Sequence, residues 1–298
     1  MKIGILDIGI TLNGSKKDIS DLISIIKTAE DLGFSRYWLG EHFSSVSHLK
    51  NNEILISILC QHTRKIKIGP AGILLLLNSP YRVSLNYLLL ESLFPNRIDL
   101  GLARGICTPA YFKALKGYEP CPEDLSINKY DETINELVSY LRYSNKEIIV
   151  SPAKISHPPI WLLGQTQVSL DLAIKYRTNY CLSLFHAPTA TINSLDGFKE
   201  DYYKIHKSYP KISLAVAGVC SGNPKIIEKA INNKGRFIVH PTVVGCPDEC
   251  KEKIIKLKKQ YKFDELIFLD ITLNKKDQLQ SYLLLSNAFN LTSKIRSS

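Results

Sequence analysis

Apolar runs of strand length alternate with amphipathic stretches of helix length from one end of this chain to the other, and that alternation limits what it can fold into. Residues 2–8, 35–39, 66–75, 98–102, 159–163, 180–184, 212–219 and 265–269 read as strands. Residues 19–32, 53–62, 83–93, 125–143, 168–176, 189–206, 224–233, 247–261 and 276–289 carry apolar positions at helical spacing. In 19–32, Leu22, Ile25, Ile26 and Ala29 form one face, and Gly33 follows as a stop. Apolar strands separated by helices call for a parallel sheet covered by helices. Eight such units in 298 residues predict one (β/α)8 TIM barrel domain, an α/β fold, over residues 1–298. A doubly wound open sheet is the alternative, but Gly9, Gly14 and their neighbours do not spell its G-x-G-x-x-G turn. Residues 106–125, with Pro109, Gly117, Pro120 and Pro122, read as a loop with one short helix.

Composition excludes several classes. No run reaches the ~18 apolar residues of a membrane span, and residues 1–14 lack a long apolar signal core, so the expectation is a soluble, cytoplasmic protein with no membrane partner. The seven cysteines are scattered singly, which argues against a disulfide framework. Cys246 and Cys250 could share a helix face, but no second pair of ligands accompanies them, and no metal is expected. The formal charge of +10 reads as solvated lysine faces, as in 251–262, or as attraction for an anionic cofactor or substrate. No motif points to nucleic acid.

In a barrel, chemistry belongs where strands end. Those segments are 7–12, 40–44, 71–79, 103–107, 164–169, 185–188, 218–221 and 270–272. Glu41 and His42 follow the second strand and form a candidate acid/base or cofactor-contacting pair; the alternative is a Glu41 paired with a lysine or arginine and a space-filling His42. The third strand carries Gly69, Pro70, Ala71 and Gly72. Small residues there admit either a flat ring over Ala71 and Gly72 or another backbone. Arg104 stands between small residues after the fourth strand. Gly164, Gln165, Thr166 and Ser169 open a helix after the fifth, where free N–H groups and hydroxyls favour an anion. Thr166 as a plain N-cap is the alternative. Strands four and five are neighbours, so Arg104 and that helix start together predict a phosphate clamp. There is no H-x-x-x-H helix, no carboxylate cluster for magnesium and no G-x-S-x-G elbow. A clamp, a small platform and one histidine suit a phosphorylated cofactor that carries the reaction itself.

These stretches resemble the bacterial-luciferase-like family of flavin-dependent oxidoreductases. The resemblance lies in Leu6-Asp7, in Arg36-Tyr37-Trp38 with Glu41-His42, in 69–74, and in 97–101 with Arg104. It is dense over residues 1–105 and fainter at 159–169 and 244–249. It implies a (β/α)8 barrel, a homodimer built on 53–62 and 83–93, and FMN or the deazaflavin F420 as cofactor. It implies that Arg104 contacts the flavin phosphate, that Gln165, Thr166 and Ser169 form the phosphate loop, and that His42 is the catalytic histidine. Asp7 and Gly164 join the cofactor-binding set, and a cis peptide falls at Ala71–Gly72. Three positions depart from the family pattern: Phe43 replaces a second histidine, Pro70 enters the small-residue strand, and Ala103 replaces the reactive cysteine of true luciferases. The chain is also short between 106 and 155, which implies a trimmed cover. The expected activity is a monooxygenase using reduced FMN from a partner flavin reductase, acting on a small-molecule or carrier-bound substrate. The alternatives are an FMN- or F420-dependent reductase acting on a larger substrate, and a non-catalytic flavin-binding protein.

Overall fold

The computed structural model describes residues 1–9, 18–43, 51–105, 107–152, 156–186, 192, 194–232, 239–272 and 274–292. Ten strands are assigned among them: β1 (Lys2–Asp7), β2 (Arg36–Leu39), β3 (Lys67–Pro70), β4 (Ile73–Leu74), β5 (Leu100–Ala103), β6 (Ile160–Gly164), β7 (Asn179–Ser183), β8 (Ile212–Cys220), β9 (Pro241–Gly245) and β10 (Glu265–Asp270). Ten helices alternate with them: α1 (Ile19–Asp31), α2 (Asn52–Gln61), α3 (Pro80–Leu93), α4 (Pro109–Lys116), α5 (Ile127–Leu141), α6 (Gln167–Lys175), α7 (Asp196–His206), α8 (Pro224–Asn232), α9 (Pro247–Tyr261) and α10 (Lys275–Phe289). Local chemistry sets several helix starts. The side chains of Asp18, Asn51, Ser79, Thr108, Ser126 and Asn274 each accept a first-turn amide, and proline follows Ser79 and Thr108.

All strand pairs are parallel, in the order β3-β2-β1-β10-β8-β7-β6-β5-β4. β3 and β4 are two halves of one barrel strand, interrupted at the cis Ala71–Gly72 peptide. The ring closes on β5: Ile68 N donates to Arg97 O (2.8 Å), Asp99 N to Ile68 O (2.9 Å), and β4 pairs with β5. The TIM barrel expected from the alternation is therefore the observed fold.

Three details differ from expectation. The 66–75 run is split in two. Strand β9 was not foreseen: β7 leaves β8 at Ala215, and β9 takes up the upper part of β8 from Ala217. A Cβ on Gly218 would lie 1.7 Å from Val243 O, so glycine lets β9 close in. Helix α7 starts at Asp196, later than the expected 189. Residues 10–12, 14, 44, 106, 187–191, 193 and 233, which belong to the expected mouth segments, turn and helices, lie outside the described residues. The short helix expected within 106–125 is α4, closed by Gly117 at φ +84°.

Alternation along the strands sorts the core. Ile3, Ile5, Tyr37 and Leu39 face the helices, packing with Leu22, Ile25 and Ile56; Leu6, Trp38, Trp161, Cys181, Ala215, Ala217, Ile267 and Leu269 fill the barrel. At the end where the strands begin, the interior is charged. Arg36 Nη1 donates to Asp99 (2.7 Å) and Nη2 to Glu265 (2.6 Å), with the three side chains 7%, 1% and 5% exposed. Trp38 and Trp161 each donate an indole N–H to Asp99 (3.0 and 3.3 Å), and the guanidinium sits 5.3 and 4.8 Å from their ring centroids. Ser35 donates to the remaining Glu265 oxygen. Burial opposes the charge on Arg36, and the two carboxylates more than offset it, raising its pKa.

Removing one member would leave a buried charge and two indole donors stranded. Asp99→Ala is expected to lose about 3–5 kcal/mol of stability, read from the urea unfolding midpoint. A midpoint unchanged from wild type would show that the network does not hold the barrel.

Candidate active site at the C-terminal ends of the strands

Glu41 and His42 are sequence neighbours that diverge in space. Glu41 continues the outward parity of Tyr37 and Leu39, and its Oε2 accepts the Leu74 amide at 2.6 Å. It is 7% exposed and pairs with no lysine or arginine among the described residues. Burial pushes its pKa up to about 7; the Leu74 amide opposes the rise, and Glu53 adds to it. Its position is that of a clamp on β4, immediately after the cis peptide. His42 instead is exposed beyond the end of β2. A Cβ on Gly40 would stand 3.4 Å from its Nε2, and partial desolvation of the ring lowers its pKa.

Ala71 and Gly72 lie where β3 gives way to β4. The Ala71 side chain packs at the edge of the interior cluster. A Cβ on Gly72 would come within 2.7 Å of the Gly101 backbone, so the glycine there serves close approach to β5. Phe43 packs with Leu74, Leu77 and Phe112, its ring 6.1 Å from that of Tyr111. This seats α4 beside the opening.

Arg104 follows β5 and is exposed. No ion pair or hydrogen bond to another described residue is assigned to it. The Tyr130 hydroxyl, buried in α5 without a hydrogen-bond partner, lies within its field. β6 pairs with β5, bringing Gly164, Gln165 and Thr166 alongside. Ser169 Oγ accepts the Thr166 amide (3.3 Å), donates to Thr166 O (2.6 Å) and meets the Tyr180 hydroxyl (2.8 Å). A Cβ on Gly164 would strike Ser169 Oγ at 2.3 Å. Ser169 thus shapes the start of α6, where the N–H groups of Gln167 and Val168 have no intrahelical acceptors.

Asp7 is not brought together with these residues. It has the outward parity of Ile3 and Ile5, takes the Tyr37 hydroxyl, and accepts the Gly9 amide at 2.8 Å. Two groups went unremarked in the sequence, Tyr130 and the buried Ser183 hydroxyl on β7; His186 lies in the expected mouth segment 185–188 and is exposed. Ser183 follows Cys181 with inward parity and its Oγ has no partner. Only that parity could have flagged it.

The chain belongs to the luciferase-like monooxygenase family, which it matches over residues 1–226. Among solved structures it is similar to apo-MsnO8, with TM-score 0.82 and 23% identity over 98% of this chain and 99% of that one. It is similar to an F420-dependent secondary alcohol dehydrogenase, with TM-score 0.77 and 11% identity over 98% of both chains. It is also similar to the oxygenating constituent of 3,6-diketocamphane monooxygenase from Pseudomonas putida, solved with FMN, with TM-score 0.72 and 17% identity over 96% of both chains.

The raised pKa of Glu41 has a consequence for stability. The folded protein keeps this proton between the ordinary carboxyl pKa of 4.5 and about 7, so stability falls as pH rises through that window. Glu41→Gln keeps an acceptor for the Leu74 amide without the charge. It is expected to match wild type near pH 5 and to exceed it by about 2–3 kcal/mol at pH 8, measured by urea unfolding at both values. Equal stability at pH 8 would contradict a protonated, buried Glu41.

Proposed function

We propose that this chain is a flavin-dependent monooxygenase that uses reduced FMN, delivered by a separate flavin reductase, and dioxygen. Its substrate is a small molecule or a carrier-bound intermediate. The observation that carries the reading is the unpaired Arg104 beside the start of α6, with His42 exposed beyond the end of β2. The donor set fits a flavin phosphate: one guanidinium without a partner among the described residues, and two helix amides without intrahelical acceptors. When bound, reduced FMN supplies the two electrons that activate oxygen.

The chain's own residues do the rest. Arg104 and the α6 amides bind and orient the phosphate. Ala71 offers a small, flat floor. His42, kept neutral at pH 7 by its surroundings, can donate or accept one proton at the ring edge. The apolar cluster of Phe43, Leu74, Leu77 and Phe112 excludes water on the α4 side. Hydride transfer with F420 is the second reading, supported by likeness to the F420-dependent alcohol dehydrogenase.

The working form in this reading is a cytoplasmic homodimer. None of the described helices is long and apolar enough to cross a membrane. α2 and α3 expose Ile54 (59%), Leu89 (51%) and Leu93 (58%), an apolar face suited to a second copy. Leu89→Glu with Leu93→Glu is expected to give a monomer by light scattering. A wild-type protein that is already monomeric would refute the dimer.

The decisive titration follows flavin fluorescence with FMN, anaerobically reduced FMN and F420. Reduced FMN is expected to bind best, and Arg104→Ala to weaken it about 10–100-fold, the worth of one charged hydrogen bond. Bound reduced FMN should then consume oxygen faster than free flavin does. Tighter F420 binding would move the assignment to hydride transfer.

A further inference from the structure

The start of α6 is held from the next strand. Tyr180 on β7 pairs in register with Leu162 on β6. Its parity with Leu182 turns it outward, into the helix layer, where its ring packs 5.5 Å from that of Phe198. A phenol reaches beyond its own strand position, and here the hydroxyl arrives over Gly164, the last residue of β6. A Cβ on Gly164 would lie 3.4 Å from the Tyr180 oxygen and 2.3 Å from Ser169 Oγ. The missing side chain leaves room for those two hydroxyls to meet, 2.8 Å apart.

A serine hydroxyl carries one proton and two lone pairs. The Ser169 proton goes to Thr166 O, 2.6 Å away. One lone pair takes the Thr166 amide at 3.3 Å, so the other takes the Tyr180 hydroxyl, and the phenol is the donor. Tyr180 is buried, and burial raises its pKa, so it keeps that proton at neutral pH. Ser169 is thereby fully used. It has no proton left for an anion, although its place in the sequence puts it in the expected phosphate loop. Its oxygen instead ties the amide and the carbonyl of Thr166 together. Gln167 and Val168 follow directly, and their amides are the ones that α6 leaves without intrahelical acceptors.

We propose that Tyr180 is a positioning residue for the phosphate of the cofactor: through Ser169 it fixes the Thr166 turn, so that preference for a phosphorylated over an unphosphorylated flavin depends on a hydroxyl that never touches the ligand. That the ligand is a flavin phosphate rests on the reading above; the Tyr180–Ser169–Thr166 chain does not. Without the phenol, the Ser169 hydroxyl loses its fixed donor and is free to turn. The α6 amides then have to be ordered when the anion arrives, and that ordering is subtracted from affinity. Arg104 makes the charged contact from β5, and Tyr180 keeps the neutral donors in place.

The test is anaerobic calorimetry with reduced FMN and reduced riboflavin on wild type, Tyr180→Phe, Ser169→Ala and the double variant. Tyr180→Phe removes one oxygen and keeps the ring against Phe198. It is expected to weaken reduced FMN about 5–10-fold and to leave riboflavin unchanged. The double variant should be no weaker than Ser169→Ala alone, because both substitutions cut the same chain. Unchanged FMN affinity in Tyr180→Phe beside a loss in Ser169→Ala would overturn the proposal and assign the phosphate contact to Ser169 itself. Equal losses for FMN and riboflavin would also overturn it, by making the hydroxyl a general support of the fold. If wild type does not prefer FMN to riboflavin, the phosphate reading falls, and amide hydrogen exchange followed by NMR decides the positioning claim. Tyr180→Phe is expected to speed exchange at Thr166 and Gln167 at least about tenfold, and unchanged rates would overturn it.

Discussion

One buried guanidinium organises this barrel. Arg36 reaches two carboxylates from strands that do not neighbour its own, Asp99 before β5 and Glu265 on β10, while Trp38 and Trp161 bring β2 and β6 onto the same aspartate. Hydrogen bonds between adjacent strands set register locally; this network sets it across the ring. Burying three charges has a desolvation cost that well-packed apolar side chains would avoid. In return, any slip of one strand by a residue would turn a charged side chain into the apolar helix layer, so mispaired registers are heavily penalised. The plug also fills the bottom of the barrel, which leaves the upper end as the place where the interior is open to a ligand.

The upper end is built by different means. The β3–β4 strand approaches β5 closely because Gly72 and Gly101 leave no Cβ between the backbones; a Cβ on Gly101 would lie 2.2 Å from Pro70 O. Glu41 fixes the Leu74 amide just beyond that approach, so the floor at Ala71 is held from both sides. The residue that looked most like a catalytic acid in the sequence is better explained as part of the scaffold, and its neighbour His42 is exposed beyond the end of β2.

How much of this could be read from the sequence follows from what periodicity encodes. Alternation at two scales gave the barrel, the helix layer and the ends where chemistry gathers, because those depend only on which face of each element is apolar. It could not reveal the Arg36 network, since a period of two assigns Arg36, Asp99 and Glu265 to the interior without saying that they meet. The same limit hid Ser183, whose inward hydroxyl has no partner among the described residues. Strand β9 escaped because its pairing depends on β7 ending at Ser183, opposite Ala215, and exposing the upper edge of β8. Asp7 carried the resemblance as part of a motif, yet its parity with Ile3 and Ile5 turns it toward Tyr37.

Charge is thus sorted along the barrel axis as well as across it. At the lower end two acids and one base face inward together and pair with one another. At the upper end Asp7, Glu41 and Asp270 face outward, each accepting from a backbone amide or a hydroxyl, while Ser183 has inward parity. A barrel interior has low dielectric, so an uncompensated field at one end is felt through its whole mouth. With the upper carboxylates turned away, the Arg104 guanidinium, which has no partner among the described residues, remains available to an anionic ligand.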